Sequence, residues 1–195
     1  MKDRLAKHFA FVFFLLYGLR ELYFFAGSFE FPDLLRFLLY LVVALSFLKQ
    51  MASLRADTGF RPTFIAFSHL LMPLFFRRED GAGLYFGELL SVAGLLFSTV
   101  GAIELWESFA VLPALRRIKT AGAYKITRHP IYSGYLLTAV GVCLSNQSFY
   151  NLTVLVVFGV LTIFRVKMEE NILAGDDGYK QYSNVVKYRL VPCVY

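Results

Sequence analysis

The feature that most restricts this chain is the apolar run from Ile131 to Phe164, 34 residues broken only by Ser145-Asn146-Gln147-Ser148 near its middle. As one helix it would extend roughly 51 Å, well beyond the about 30 Å of hydrocarbon that a single crossing covers. Four consecutive polar residues favour a turn over a lipid-facing helix, so the run is expected to fold as a tight helical hairpin. Four more apolar stretches precede it: Phe9 to Phe25, Leu34 to Leu48, Thr63 to Phe76 and Tyr85 to Trp106. The third is short and carries His69 and Pro73. Of the 195 residues 57% are hydrophobic and 17% charged, which excludes a soluble globular domain and a disordered chain alike. The expected fold is an all-α integral membrane protein with about six transmembrane helices.

The basic residues test that count. If the chain crosses six times, sixteen of the twenty Lys and Arg residues fall on one side, leaving Arg20, Arg36, Arg77 and Arg78 for the other. Both termini are then cytoplasmic, in a bacterial inner membrane or an endomembrane. The first apolar run continues into Arg20-Glu21 with no small-residue cleavage site and is expected to be an uncleaved span. Two cysteines make no disulfide framework, and Cys193 stands one place short of a prenylation box.

Two polar pieces remain outside the lipid, the loop Glu107 to Pro130 and the tail from Arg165 onward. A hairpin would bring its two feet together, Arg128-His129-Pro130 and Arg165 through Glu170, on one membrane face. Gly175-Asp176-Asp177-Gly178 signals a turn. Beyond it Tyr179, Tyr182, Val186 and Arg189 share one helical face, so a short cytoplasmic C-terminal helix could cover the feet with two rings and a cation. Gly122 permits close backbone approach upstream. Each residue alone has an ordinary explanation. Basic residues at a membrane edge determine topology, boundary tyrosines anchor helices, and Arg165 with Glu169 at i, i+4 could be a surface ion pair. Their convergence is what points to a pocket for a small polar ligand. Glu88, Glu104 and His69, in or near apolar spans, rank lower. Three scattered histidines argue against a metal, and topology already accounts for the basic loop, so no nucleic-acid partner is expected.

In order and spacing, Lys119-Thr120-Ala121-Gly122-Ala123-Tyr124-Lys125-Ile126-Thr127-Arg128-His129-Pro130-Ile131-Tyr132, then Arg165-Val166-Lys167-Met168-Glu169-Glu170, then Tyr179-x-x-Tyr182 and Arg189-x-x-Pro192 resemble the isoprenylcysteine carboxyl methyltransferase family. The resemblance covers roughly the last 80 residues. It implies a multi-pass membrane methyltransferase that uses S-adenosyl-L-methionine, divided into N-terminal helices on the acceptor side (1–106) and a methyltransferase-like region (107–195). By position, Lys119, Gly122, Tyr124, His129, Tyr132, Glu170, Tyr179 and Tyr182 would line the cofactor pocket. Glu170 would meet the cofactor's amino group, and Arg128 and Arg165 would neutralise a carboxylate, so Arg165, Glu170 and Arg128 are the catalytic candidates. The acceptor would be lipophilic, a prenylcysteine-like carboxylate entering from the bilayer lipids. The N-terminal half matches no motif, which leaves a phospholipid amine, a small lipid or another hydrophobic acid open. Two alternatives stand beside this. One is a membrane reductase of the sterol or steroid type binding NADPH; those enzymes show Arg-His-Pro-Asn-Tyr followed by Gly-Glu, where this chain has Ile131 and Tyr135. The other is a membrane protein without enzymatic activity.

Overall fold

The structure is a computed structural model that describes residues 2–77, 84–192 and 194; Arg78 and Cys193 lie outside them. It is almost wholly helical. Helix α1 (Lys2–Ser28) turns at Phe29, whose φ is 56°, into α2 (Phe31–Leu48), which starts on Pro32. The two pack antiparallel through aromatic rings, Tyr17 edge-on to Tyr40 at 4.6 Å and Phe14 stacked near Phe47 at 6.1 Å. Helix α3 (Phe60–Leu71) is shorter than the run from Thr63 to Phe76 suggested. Pro73 cannot donate to an α ladder, and the chain tightens there into a 3-10 turn, Met72–Phe75.

Helix α4 (Tyr85–Leu105) lies against α5 (Pro130–Asn146) with the backbones in near contact. A methyl group added at Gly94 would come 2.5 Å from the Thr138 nitrogen, and one at Gly134 2.5 Å from the Gly94 oxygen. Gly87, Gly94 and Gly101 recur every seven residues on α4; Gly87 faces Gly141, Gly94 faces Gly134, and Gly101 packs on Pro130 and Ile131. Such small-residue seams are how helices associate where lipid provides no hydrophobic drive. Hydroxyls bind across this one: Ser91 Oγ donates to the Thr138 carbonyl at 3.2 Å and Ser98 Oγ to that of Ile131 at 3.3 Å.

Gln147, left-handed at φ 47°, and Ser148 alone separate α5 from α6 (Phe149–Leu173). Helix α7 (Asp177–Val185) follows, its N-terminus capped by Asp176, which accepts from the Tyr179 N–H at 3.0 Å. A two-residue ladder, β1 (Arg55–Ala56) with β2 (Ala114–Leu115), ties the segment after α2 to the one after α4. Among the described residues four helices are long and apolar enough to cross a membrane: α1, α2, α4 with the turn after it, and α6. At 12 and 17 residues, α3 and α5 are shorter. The chain is an integral membrane protein.

Candidate functional site

The far ends of α5 and α6 meet, and the polar residues collect there. The α4–α5 seam fixes the start of α5, and with it Arg128 and His129. The tail then buckles onto this segment. Arg128 N donates to the Tyr188 carbonyl at 2.9 Å, His129 N to that of Arg189 at 3.0 Å, and Ser133 Oγ to that of Leu190 at 2.7 Å. Tyr179 and Tyr182 turn inward from α7 and are buried; the Tyr182 hydroxyl donates to the Tyr124 carbonyl at 2.6 Å. The helix stops at Val185, so Arg189 approaches from a bend beyond it and not, as its spacing suggested, from the same helical face.

The adjacent glutamates have different surroundings. Glu170 is clamped: Arg128 Nη1 lies 2.8 Å from Oε1, Arg189 Nε 2.5 Å from Oε2, and the Tyr179 hydroxyl donates to Oε1 at 3.0 Å. Glu169 faces a cavity of about 160 Å³ beside the clamp. Its Oε1 accepts from the Tyr132 hydroxyl at 2.6 Å and pairs with Arg165 Nε at 3.0 Å. Its Oε2 is 3.7 Å from His129 Nδ1. The Arg165–Glu169 pair is not a surface one, since Arg165 is only 3% exposed.

Of the residues predicted for the site, Lys119, Tyr124, His129, Tyr132, Tyr179 and Tyr182 line this cavity, together with Arg128 and Arg165. Glu170 and Gly122 do not. Gly122 stands behind the wall at φ +59°, where a methyl group would fall 1.5 Å from Glu104 Oε1. The Glu104 carboxylate accepts from the Ala123 N–H at 2.9 Å and so holds the Gly122–Lys125 turn in shape. Sequence reasoning ranked Glu104 low and did not find this role; the signal was a carboxylate at the very end of α4, within reach of a Gly loop. His69, also ranked low, lines the cavity with its Nε2 3.1 Å from Thr162 Oγ1 and its ring edge-on to Tyr132.

Several polar atoms here are buried without a hydrogen-bond partner: Arg165 Nη1, Arg128 Nε and His129 Nε2, the last lying 3.4 Å from Glu170 Oε1 out of bonding alignment. Unsatisfied buried donors are costly, and Arg165 Nη1 suits an anionic or carbonyl oxygen. Burial pushes the hydroxyls of Tyr124, Tyr179 and Tyr182 well above their ordinary range, and the Glu170 charge adds to this at Tyr179 and Tyr182. These rings therefore stay neutral at pH 7. Among the described residues no group of three or more His, Cys, Asp or Glu side chains could hold a metal ion.

No curated protein matches the chain. Residues 83–179 match the family model described as phospholipid methyltransferase, a segment that holds α4, α5, α6, the Gly122 turn and both glutamates. That segment is of the phospholipid methyltransferase family, a family of membrane methyltransferases akin to the isoprenylcysteine carboxyl methyltransferases.

Proposed function

We propose that the protein transfers a methyl group from S-adenosyl-L-methionine to a lipophilic carboxylate, prenylcysteine-like in form, at the cytoplasmic edge of the membrane. The observation that carries this reading is Arg165, buried in the cavity wall with Nη1 unpartnered and its Nε held by Glu169 and Tyr132. The donor set fits the cofactor. Tyr124, Tyr132, Tyr179 and Tyr182 offer ring faces to an onium group, Glu169 offers a carboxylate oxygen, and the orphaned nitrogens offer donors to an anion. Bound S-adenosylmethionine would supply a sulfonium methyl, so that a new oxygen–carbon bond forms as the sulfur–carbon bond breaks and its electron pair returns to sulfur.

The residues then have separate tasks. Arg165 orients the acceptor carboxylate, which is already ionised at pH 7 and needs no base. His129 and Glu169 hold the polar part of the ligand, and Lys119 closes the aqueous rim. Glu170, with Arg128 and Arg189, locks the tail over the cavity and keeps water out, so that orientation provides most of the rate. Glu169, not Glu170, is the glutamate that meets the ligand. Residues 1–106 wall the acceptor and 107–195 the cofactor. The chain crosses six times with both termini cytoplasmic, α5 and α6 forming a transmembrane hairpin and α3 and α5 completing the count as short spans.

The family's description favours a second acceptor, a phospholipid amine. An amine must shed a proton to react, and Glu169 with His129 could accept it. Titration calorimetry in detergent is expected to show S-adenosylhomocysteine binding and no NADPH binding; NADPH binding alone, or neither, would overturn the proposal. Labelled methyl transfer to a prenylcysteine and to phosphatidylethanolamine would then decide the acceptor, with label expected in the prenylcysteine ester. An Arg165→Lys variant is expected to keep S-adenosylhomocysteine binding and lose turnover, and unchanged turnover would remove Arg165 from its role.

A further inference from the structure

Phe13, Ala66, Leu70, Pro73 and Leu74 give the cavity an apolar stretch of wall, and His69 stands in it. His69 is 6% exposed, its ring stacked on Phe158 at 4.9 Å and edge-on to Tyr132 at 5.2 Å. Its Nε2 lies 3.1 Å from Thr162 Oγ1, and that hydroxyl donates to the Phe158 carbonyl at 2.8 Å, one turn back along α6. With its single proton so committed, Thr162 accepts from the ring. A ring buried beside hydrocarbon is neutral and carries one proton, so Nε2 holds it and Nδ1 keeps a lone pair. Among the described residues Nδ1 has no hydrogen-bond partner, and unlike His129 Nε2 it is not sealed off. The space that His69 borders is the cavity.

Arg165 stands next to this lone pair. Thr162 and Arg165 are three residues apart on α6 and share a face. Tyr132 touches both sites: its ring meets His69, and its hydroxyl accepts from Arg165 Nε at 3.0 Å. Around one tyrosine the wall therefore presents a cationic donor, Arg165 Nη1, and a neutral acceptor, His69 Nδ1. A ligand that answers both has an anionic oxygen and, close to it, an N–H or O–H donor. A plain hydrophobic acid has only the first. An ammonium would supply the second but is repelled by the Arg165 charge. A carboxylate whose α-carbon bears an amide answers both and adds no positive charge.

We propose that His69 Nδ1 accepts a hydrogen bond from an amide N–H of the methyl acceptor, so that the protein selects the carboxylate of an N-acylated amino acid with an apolar side chain, as at a peptide C-terminus, over fatty acids and other plain hydrophobic acids. The inference rests on the methyl-transfer reading for the carboxylate and adds the group beside it. His69 takes no proton and forms no bond to carbon; it sets which acceptor is held with its carboxylate on Arg165. A ligand without the donor leaves the buried lone pair unmet, and that unmet group is the source of the selection.

The test is titration calorimetry on the full chain in neutral detergent with S-adenosylhomocysteine present, comparing N-acetyl-S-farnesylcysteine with the analogue in which an ester oxygen replaces the amide N–H. Wild type is expected to bind the amide about three- to tenfold more tightly, the difference one hydrogen bond makes. His69→Gln can still donate to Thr162 but has no acceptor at the Nδ1 position, whereas His69→Asn keeps that acceptor and loses Thr162. His69→Gln is therefore expected to bind amide and ester alike and His69→Asn to keep the preference; a merely structural histidine would be replaced better by Gln. Equal binding of the two ligands to wild type, or a preference that persists in His69→Gln, would overturn the proposal. Should either variant fold poorly, or both lose the preference, imidazole nitrogen NMR of the wild type decides: a non-protonated His69 Nδ1 that shifts with the amide and not with the ester is expected, and its absence would overturn it. Dioctanoylphosphatidylethanolamine binding more tightly than dioctanoylphosphatidylcholine to wild type but not to His69→Gln would assign Nδ1 to a lipid amine and overturn the amide. Loss of the amide preference with methyl transfer intact sinks this inference alone, and the preference without methyl transfer sinks only that reading.

Discussion

Gly122 and the two glutamates carry the residue-scale argument. At φ +59° a side chain costs about 1–2 kcal/mol, and the Glu104 carboxylate fills the space besides. Gly122→Ala is therefore expected to deform the Gly122–Lys125 turn and abolish S-adenosylhomocysteine binding by calorimetry. Combining it with Glu104→Ala relieves the clash but removes the acceptor of the Ala123 N–H, so the double variant is expected to stay without binding. Glu169 and Glu170 separate by a different measurement. Glu170 answers Arg128, Arg189 and Tyr179, and removing one partner of a buried ionic cluster costs about 3–5 kcal/mol. Both Glu170→Gln and Glu169→Gln, the latter stripping the buried Arg165 of its partner, should lower the thermal midpoint in detergent, but Glu169→Gln should also lose ligand affinity. The sequence could not separate the pair, because neighbours on a helix point about 100° apart and only the packing of α5, α7 and the tail says which direction is the cavity.

Two elements position the site, and each makes its own prediction. The α4–α5 seam sets the start of α5. Gly94→Ala would bring a methyl group 2.5 Å from the Thr138 backbone nitrogen, while Gly159→Ala on α6 meets nothing within 4 Å. Overpacking of about 1–3 kcal/mol is expected for the first and no loss for the second, read from thermal unfolding in one detergent. The seven-residue recurrence of Gly87, Gly94 and Gly101 was visible in the sequence, but only backbone contact gives it meaning. The tail depends on buried neutral tyrosines. Tyr179 and Tyr182 are held above their ordinary value by burial, so in the unfolded chain they ionise first. Their contribution is full below about pH 10 and is lost as pH rises through the folded values. Limited proteolysis should therefore cut the tail after Gly175 faster above pH 10 than at pH 8.

For the whole molecule, the arrangement of ends is the strongest claim. The exposed turn at Phe149 and the exposed helix α7 lie at opposite ends of α6. In sealed vesicles of a cysteine-free background, Lys180→Cys and Leu5→Cys should react with an impermeant maleimide from one side and Phe149→Cys from the other. Labelling of Lys180→Cys and Phe149→Cys from the same side would separate the cavity from any transmembrane α6.

The sequence by itself determined the membrane character, the long helices and the sites where polar residues leave the lipid, because hydropathy, Pro and turn residues act locally along the chain. It also held the Arg128-His129, Glu169-Glu170 and Tyr179-x-x-Tyr182 residues, whose spacing resembles a methyltransferase family. The tertiary structure alone decided that Glu169 faces the cavity and Glu170 the clamp, that Glu104 shapes the Gly122 turn, and that His69 borders the same cavity. Each depends on which helix packs against which, and a pairwise contact between residues 19 or 93 apart leaves no period in the chain from which it could be read.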